Sequence, residues 1–139
     1  MTIEANKAIL KRFWDEGFNQ VNAKAVSEFV AVDYHNHDVA PGEQNGIEGL
    51  LQFMRLTHTA FPDVRIIADK IVAEGDVVVT RWSVTGTHRG EFMGVPPTGR
   101  PITITGLAMH RIENGKIKEG WNNWDALGLL QQVGAIPTK

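Results

Sequence analysis

Residues 102–125 read ITITGLAMHRIENGKIKEGWNNWD, and apolar and polar side chains alternate on both sides of Asn114-Gly115. An Asn-Gly pair between two alternating runs is the strongest short-range signal for a tight β-hairpin. We therefore predict two long antiparallel strands in this segment, Ile102–Ile112 and Lys116–Trp124. The other elements are predicted around this hairpin.

One face of the first strand is apolar except for a histidine, because side chains two residues apart point the same way. This face carries Ile102, Ile104, Gly106, Ala108, His110 and Ile112. Gly106 and Ala108 leave space beside His110, which is typical of a ligand pocket, whereas a solid core is filled with branched aliphatic side chains. A core histidine with an ordinary hydrogen bond is the alternative interpretation.

The second strand carries polar groups that could share this pocket. If Lys118 faces water, Glu119, Trp121 and Asp125 are expected to point inward. A β-bulge between Trp121 and Asp125 would invert the later assignments. Asp125 also directly precedes a predicted helix, where an aspartate is an ordinary N-cap worth about 1 kcal/mol.

Two more strands of the same alternating type precede the hairpin, and helical spacing dominates the first third of the chain. The predicted strands are Val64–Ala73 and Val77–Thr87, and the predicted helices are Ala8–Phe18, a segment starting after Asn22, Asn45–Ala60 and Ala126–Gln132. Helices followed by antiparallel strands predict an α+β fold with the helices on one face of a curved sheet. No repeat or linker divides the chain, so we expect one domain over residues 1–139.

Composition excludes several classes of protein. The chain has fourteen basic and sixteen acidic side chains, a formal net charge of -2 and no cysteine. Without a thiol there are no disulfides, thiolate metal sites or cysteine nucleophiles. Scattered lysines and arginines argue against nucleic acid or an anionic membrane surface as a partner. The N-terminal residues lack the pattern of a signal peptide, so a cytoplasmic location is expected.

Metal binding rests on a single pair of histidines. His35 and His37 are two residues apart and would share a face if their segment is extended. A third ligand, His110 for example, would have to lie within bonding distance. Solvated or hydrogen-bonded loop histidines are the alternative, and we predict neither a metal nor a cofactor.

The segment GTHRGEFMGVPPTGR, residues 86–100, resembles the signature loop of the SnoaL-like polyketide cyclases, which belong to the nuclear transport factor 2-like superfamily. Three further segments fit this family: Ala60–Asp63, Met109–Ile112 with Gly115–Ile117, and Trp124-Asp125 followed by Gly128–Gln132. The resemblance covers nearly the whole chain in the expected order. It implies a cone-shaped curved antiparallel sheet, with the N-terminal helices packed on its concave face, around an apolar cavity.

The resemblance also implies an activity. Cyclases of this family close the last ring of a polyketide by intramolecular aldol condensation without a cofactor, using a late acidic residue near a histidine. Asp125 and His110 occupy the matching positions, so Asp125 is expected to be the general base and His110 the donor or orienting partner. An apolar cavity raises the pKa of a carboxylate toward neutrality, which suits it to this role.

The other members of the predicted site would bind the substrate, a small apolar metabolite. They are Trp82, Trp121, Phe53, Glu119, His88 and His35. The resemblance further implies a homodimer or homotetramer. The apolar residues Phe92, Met93 and Val95 of the signature loop are expected either to cover the cavity or to lie in a subunit contact, and we favour the contact.

Two other functions are compatible with the same residues. The first is a binding module that holds an apolar metabolite and changes no bond. The second is another acid/base reaction on this fold, isomerisation or hydrolysis. Epoxide opening would need two carboxylates and a cation around one water, which Glu119, Asp125 and Arg81 could supply only if their faces converge.

Overall fold

The computed structural model describes residues 2–39 and 42–137. Its elements are α1 Ile3–Arg12, a π-helical segment Phe13–Asn19, α2 Ala23–Phe29, β1 Val30–Asn36, α3 Gly46–Ala60, β2 Arg65–Glu74, β3 Val77–Thr87, β4 Pro101–Glu113, β5 Lys116–Trp124 and α4 Ala126–Gln132. The predicted α+β class is confirmed, with one curved sheet covered by helices. None of these described helices combines the length and the apolar character that a membrane crossing requires.

The sheet has the strand order β1-β5-β4-β3-β2. Four strands are antiparallel to their neighbours, as predicted, but β1 pairs with β5 in parallel. The sequence did not predict β1. In the structure only part of this strand alternates between buried and exposed residues, and the apolar Val32 is almost fully exposed. β1 joins the sheet by pairing with β5, which lies far along the chain. Whether a segment forms a strand depends on such neighbours.

Side-chain caps explain where the helices begin. Asn22 accepts a hydrogen bond from Ala25 N (3.1 Å), which confirms the predicted start of α2. Asn45 accepts from Gly46 N at the start of α3 and from Asn36 N (2.8 Å), so it also ties α3 to β1. Each of these contacts satisfies a backbone N–H at a helix or strand end.

The first helix differs from its prediction at both ends. It begins at Ile3, earlier than predicted, and continues directly into the π-helical segment. Asn19 ends this segment by pairing with the backbone of Ile66 in both directions, at 2.9 and 2.8 Å. This pair occupies the free edge of β2 as another strand would, which anchors the helical layer to the sheet.

The predicted hairpin between β4 and β5 is confirmed. Asn114 and Gly115 have φ angles of 51° and 75°, the left-handed pair that a type I′ turn requires. On β4, Ile102, Ile104, Ala108, His110 and Ile112 are buried, as the alternation predicts.

The segments that carry the family resemblance hold each other in place. The Asp63 carboxylate accepts hydrogen bonds from Thr87 N (2.7 Å) and Thr87 Oγ1 (2.8 Å). Arg89 N and Gly90 N both donate to the carbonyl oxygen of Ala60. A β-carbon on Gly90 would lie 2.8 Å from the carbonyl oxygen of Thr59, so this close approach requires glycine.

The signature loop sends one aromatic side chain into the protein. Phe92 is buried, and its ring packs against Phe61 with 5.3 Å between centroids. Met93 beside it is half exposed. The preference for a subunit contact is therefore wrong for Phe92, because the interior of its own chain already buries the ring.

Candidate active site

An unfilled space lies between the helices and the sheet. Its volume is about 130 Å³. Aromatic and aliphatic side chains form most of its wall, and all four tryptophans of the chain contribute: Trp14, Trp82, Trp121 and Trp124. Of the residues predicted for the site, Phe53, Trp82, Trp121 and His110 line it.

Gly106 of β4 makes room for the indole of Trp82 in this wall. A β-carbon at position 106 would overlap the six-membered ring of Trp82. The indole Nε1 donates a hydrogen bond to Asn122 Oδ1 (3.1 Å). Because an indole N–H can only donate, the amide oxygen of Asn122 must face Trp82 and its amide nitrogen must face away.

His110 is buried in an aromatic environment. Its ring centroid lies 5.4 Å from that of Phe13 and 5.8 Å from that of Trp14. Burial lowers the pKa of His110 to about 4, so the imidazole is neutral at pH 7. Its Nδ1 is buried without a hydrogen-bond partner among the described residues, and the Nε2 edge of the ring faces Gly120.

Tyr34 of β1 brings a hydroxyl group to the same part of the wall. A β-carbon on Gly120 would lie 2.7 Å from Tyr34 Oη and 3.1 Å from His110 Nε2. Burial, assisted by the Asp38 carboxylate, raises the pKa of the Tyr34 phenol, which therefore stays protonated and can donate. Tyr34 is absent from the predicted site because the sequence does not predict β1.

A β-bulge decides which side chains of β5 face the cavity. Arg111 pairs with Glu119, but Ile112 pairs with Ile117, so Lys118 is an extra residue. Beyond Lys118 the positions of β5 that face the cavity are Gly120, Asn122 and Trp124. They pair with His110, Ala108 and Gly106 of β4. The bulge lies before Trp121, earlier than the sequence analysis considered.

The prediction that Glu119 points inward is therefore wrong. Its carboxylate accepts hydrogen bonds from Arg111 Nε and from the ring of His37 (2.7 Å) on the other face of the sheet. The Arg111 hydrogen bond, followed by that of His37, lowers the pKa of Glu119 below its ordinary value. Trp121 lies next to this cluster, and its indole stacks on His37 at 4.4 Å while it also lines the cavity.

The prediction that the Asp125 carboxylate points into the cavity is also wrong. Its Oδ1 accepts from Gly128 N (2.8 Å), the residue is exposed, and it caps α4. A β-carbon at Gly128 would overlap this carboxylate, so the glycine leaves room for the cap. The physical reason is that α4 begins at Ala126, where the free backbone N–H groups attract the nearest acceptor.

Two histidines predicted to bind substrate lie outside the cavity lining. His88 is fully buried, with its Nδ1 3.0 Å from Thr98 Oγ1 and its ring against Phe61, so it anchors the signature loop. His35 contacts His37 edge to face, at 4.6 Å between centroids. Among the described residues no three histidine, aspartate or glutamate side chains converge as metal ligands would.

The polar groups that line the cavity are all neutral at pH 7. They are contributed by Tyr34, Asn36, Thr57, His110 and Asn122, together with the tryptophan N–H groups. No aspartate or glutamate occurs among the described lining residues. Neutral donors in an apolar cavity stabilise negative charge that develops on an oxygen atom, because water does not compete for them.

A helix cap and a general base at Asp125 predict different mutant behaviour. Asp125→Ala is expected to lower the free energy of unfolding by about 1 kcal/mol, because α4 loses its N-cap. Asp125→Asn keeps an oxygen acceptor and should be close to wild type in urea denaturation. A hundredfold loss of turnover in Asp125→Asn at unchanged stability would instead restore the predicted base.

The buried imidazole of His110 predicts a pH-dependent stability. Its pKa of about 4 in the folded protein lies below the ordinary value of 6.5, so between these values the unfolded chain binds a proton that the folded protein does not. Stability from this group is complete above pH 6.5 and is lost as the pH falls toward 4. From pH 7 to 4.5 the wild type should lose about 2 to 3 kcal/mol more than His110→Gln. Equal losses in urea denaturation at the two pH values would contradict the burial of a neutral imidazole.

A sheet and helices that enclose an aromatic cavity with a few convergent polar groups define a protein that binds a small molecule. Comparison with known proteins identifies the family. The model of the SnoaL-like polyketide cyclases matches residues 8–133, and the chain belongs to this family.

Two similar proteins are ester cyclases from Streptomyces. The chain is 28% identical to the nogalonic acid methyl ester cyclase of Streptomyces nogalater, over 84% of this chain and 89% of that protein. It is 28% identical to the aklanonic acid methyl ester cyclase DnrD of Streptomyces peucetius, over 86% of this chain and 84% of that protein.

Solved structures show the same architecture. TsrD from Streptomyces laurentii superimposes with a TM-score of 0.89 at 25% identity, covering 98% of this chain and 99% of that one. Wild-type IdmH from Streptomyces antibioticus superimposes with a TM-score of 0.79 at 36% identity, covering 93% of this chain and 98% of that one.

Proposed function

We propose that this protein closes a ring in a polyketide-like ester by an intramolecular aldol reaction without a cofactor, and that His110 transfers the proton. The observation that carries the proposal is the neutral imidazole edge beside the Tyr34 hydroxyl in the wall of an aromatic cavity. Family membership and the ester cyclases among its relatives support it.

The proposed reaction consumes no second substrate and needs no co-reactant. His110 Nε2 takes a proton from a carbon atom next to a carbonyl group, and the electron pair of that C–H bond forms an enolate. The enolate carbon then attacks a second carbonyl group of the same molecule, forming the C–C bond. The proton returns to the new alkoxide oxygen, so the product is an isomer of the substrate.

The lowered pKa makes His110 a weak base in the empty cavity, and the negative charge of the forming enolate strengthens it. The imidazole is unprotonated at pH 7 and is therefore free to accept. Burial alone lowers its pKa, so an enolate formed beside it would strongly favour the imidazolium form in this low-dielectric site. The wall also brings the two reacting groups together, a contribution that can exceed that of proton transfer.

The binding module remains the second candidate function. The observation that favours it is the lack of any aspartate or glutamate among the described residues that line the cavity. Such a protein would take up the same apolar metabolite and release it unchanged.

The third candidate function, hydrolysis of an epoxide, requires two carboxylates and a cation around one water, and the structure does not bring them together. Its residues do not converge: Glu119 bonds to Arg111, Asp125 caps α4, and Arg81 lies 3.9 Å from Asp69. None of these three candidate residues lines the cavity.

We also propose that the protein forms a homodimer or homotetramer in the cytoplasm. An apolar row crosses the face of the sheet opposite the cavity, where Val72, Val79 and Met109 are successive partners on β2, β3 and β4. Leu107 on the same face is about half exposed. Burying these side chains would favour association, and light scattering measures the mass of the particle.

The function is tested with the methyl esters of nogalonic acid and aklanonic acid. We expect the purified protein to convert at least one of them into a product of the same mass with a different chromatographic retention. Quenching of tryptophan fluorescence by an ester that is then recovered unchanged would favour the binding module instead.

A further inference from the structure

We infer that the Tyr34 hydroxyl donates a hydrogen bond to a carbonyl oxygen of the substrate and stabilises the negative charge that develops there. The inference rests on the proposed function, because it assigns a second group to the same reaction. It makes Tyr34 a catalytic residue beside His110.

Strand pairing fixes the position of Tyr34. In the parallel pair of β1 and β5, His35 lies opposite Glu119 and Asn36 opposite Gly120. His37 N also donates to the carbonyl oxygen of Gly120 (2.9 Å). His35 therefore shares the outer face with Glu119, and Tyr34, one residue earlier, points to the cavity that it lines.

Gly120 allows the two polar groups to converge. Tyr34 Oη and His110 Nε2 lie 2.7 and 3.1 Å from the position that a β-carbon of residue 120 would take. Any side chain there would push one of them away. With glycine, one ligand molecule can reach both groups at the same point of the wall.

The hydroxyl group is available for such a contact. Tyr34 is 94% removed from solvent, and the hydrogen bonds of residues 2–39 and 42–137 include none from its hydroxyl. The hydroxyl oxygen is not one of the described atoms that are fully buried without a partner, so part of its surface is open to the cavity that Tyr34 lines. A free donor on the cavity wall can be aimed at a substrate oxygen that gains charge in the transition state.

The composition of the chain allows a direct test. Tyr34 is the only tyrosine, so 3-fluorotyrosine supplied during expression labels this hydroxyl alone. All four tryptophans line the cavity, so their fluorescence reports its occupancy. The probe is methyl anthraquinone-2-carboxylate, a planar aromatic ester with two ketone acceptors.

We compare the wild type with Tyr34→Phe and with the control Val32→Ala, whose side chain on the same strand is 94% exposed. Tyr34→Phe should raise the Kd of the probe about fivefold and lower kcat for ring closure about a hundredfold, with KM changed less. Val32→Ala should match the wild type. The ¹⁹F resonance of the labelled protein, whose fold is unaltered by mutation, should shift when the probe saturates it.

Equal probe affinity and equal kcat in Tyr34→Phe and the wild type would overturn the role of Tyr34 and leave the proposed function intact. An unchanged ¹⁹F resonance at saturation would overturn it as well. Absence of ring closure by the wild type, with the probe still bound, would overturn the proposed function itself. The two failures are therefore distinguishable.

Discussion

Replacing His110 with glutamine is expected to lower kcat for ring closure by at least about a hundredfold, the usual contribution of a positioned proton-transfer group. Glutamine has a similar size and keeps polar atoms near Gly120, but it cannot accept a proton at any pH compatible with folding. The loss should therefore fall on kcat more than on KM. Steady-state kinetics with the methyl ester that the wild type converts measures both constants.

The matched control is His58→Gln. His58 lies on α3 outside the cavity lining, and its Nε2 is 2.7 Å from the carbonyl oxygen of Phe18. A glutamine amide can make that contact, so turnover should stay close to wild type. If His110→Gln retained full activity while it bound ester normally, proton transfer by His110 would be excluded and the base would have to be sought in the substrate or in solvent.

Gly120→Ala is expected to reduce turnover about as severely, and for a steric reason. The new β-carbon would lie 2.7 Å from Tyr34 Oη and 2.9 Å from His110 Cδ2, distances that real β-carbons do not sustain. At least one of the two side chains must move, and misplacing a catalytic group by about 1 Å can cost about a hundredfold in rate. Overpacking of this kind typically lowers stability by only about 1 to 3 kcal/mol.

Activity and stability should therefore separate in this variant. Thermal unfolding and circular dichroism of Gly120→Ala should show a folded protein, while kinetics show the loss. Asn123→Ala is the control, because Asn123 is exposed on the same strand. Wild-type turnover in Gly120→Ala would mean that the convergence of Tyr34 and His110 on this glycine has no part in the reaction.

Much of the candidate site was accessible from local pattern. The alternation of β4 placed His110 inside with Gly106 and Ala108, and the structure has all three on the cavity side of the strand. Helical spacing on α3 and an aromatic residue on β3 indicated Phe53 and Trp82, which line the cavity. Each of these inferences needed only the geometry of one element.

The incorrect predictions in the candidate site depended on more than one element. Glu119 and Asp125 were predicted to point inward because β5 was counted as an unbroken strand, and the extra residue Lys118 changes that count. Tyr34 was missed because β1 has no strong pattern of its own and pairs with a strand that follows it by about eighty residues. Both facts are decided by contacts between distant segments.

By itself, the sequence determined the α+β class, the hairpin at Asn114-Gly115 and the burial of His110, because turn chemistry and side-chain period act over a few residues. Only the tertiary structure decided that β1 closes the sheet, that β5 bulges at Lys118, and that Asp125 serves α4. A single added residue reverses every later side chain of a strand, and alternating sequences accept either register. The register is chosen by the neighbouring strands, so the neutral pair of Tyr34 and His110 emerges only in the folded protein.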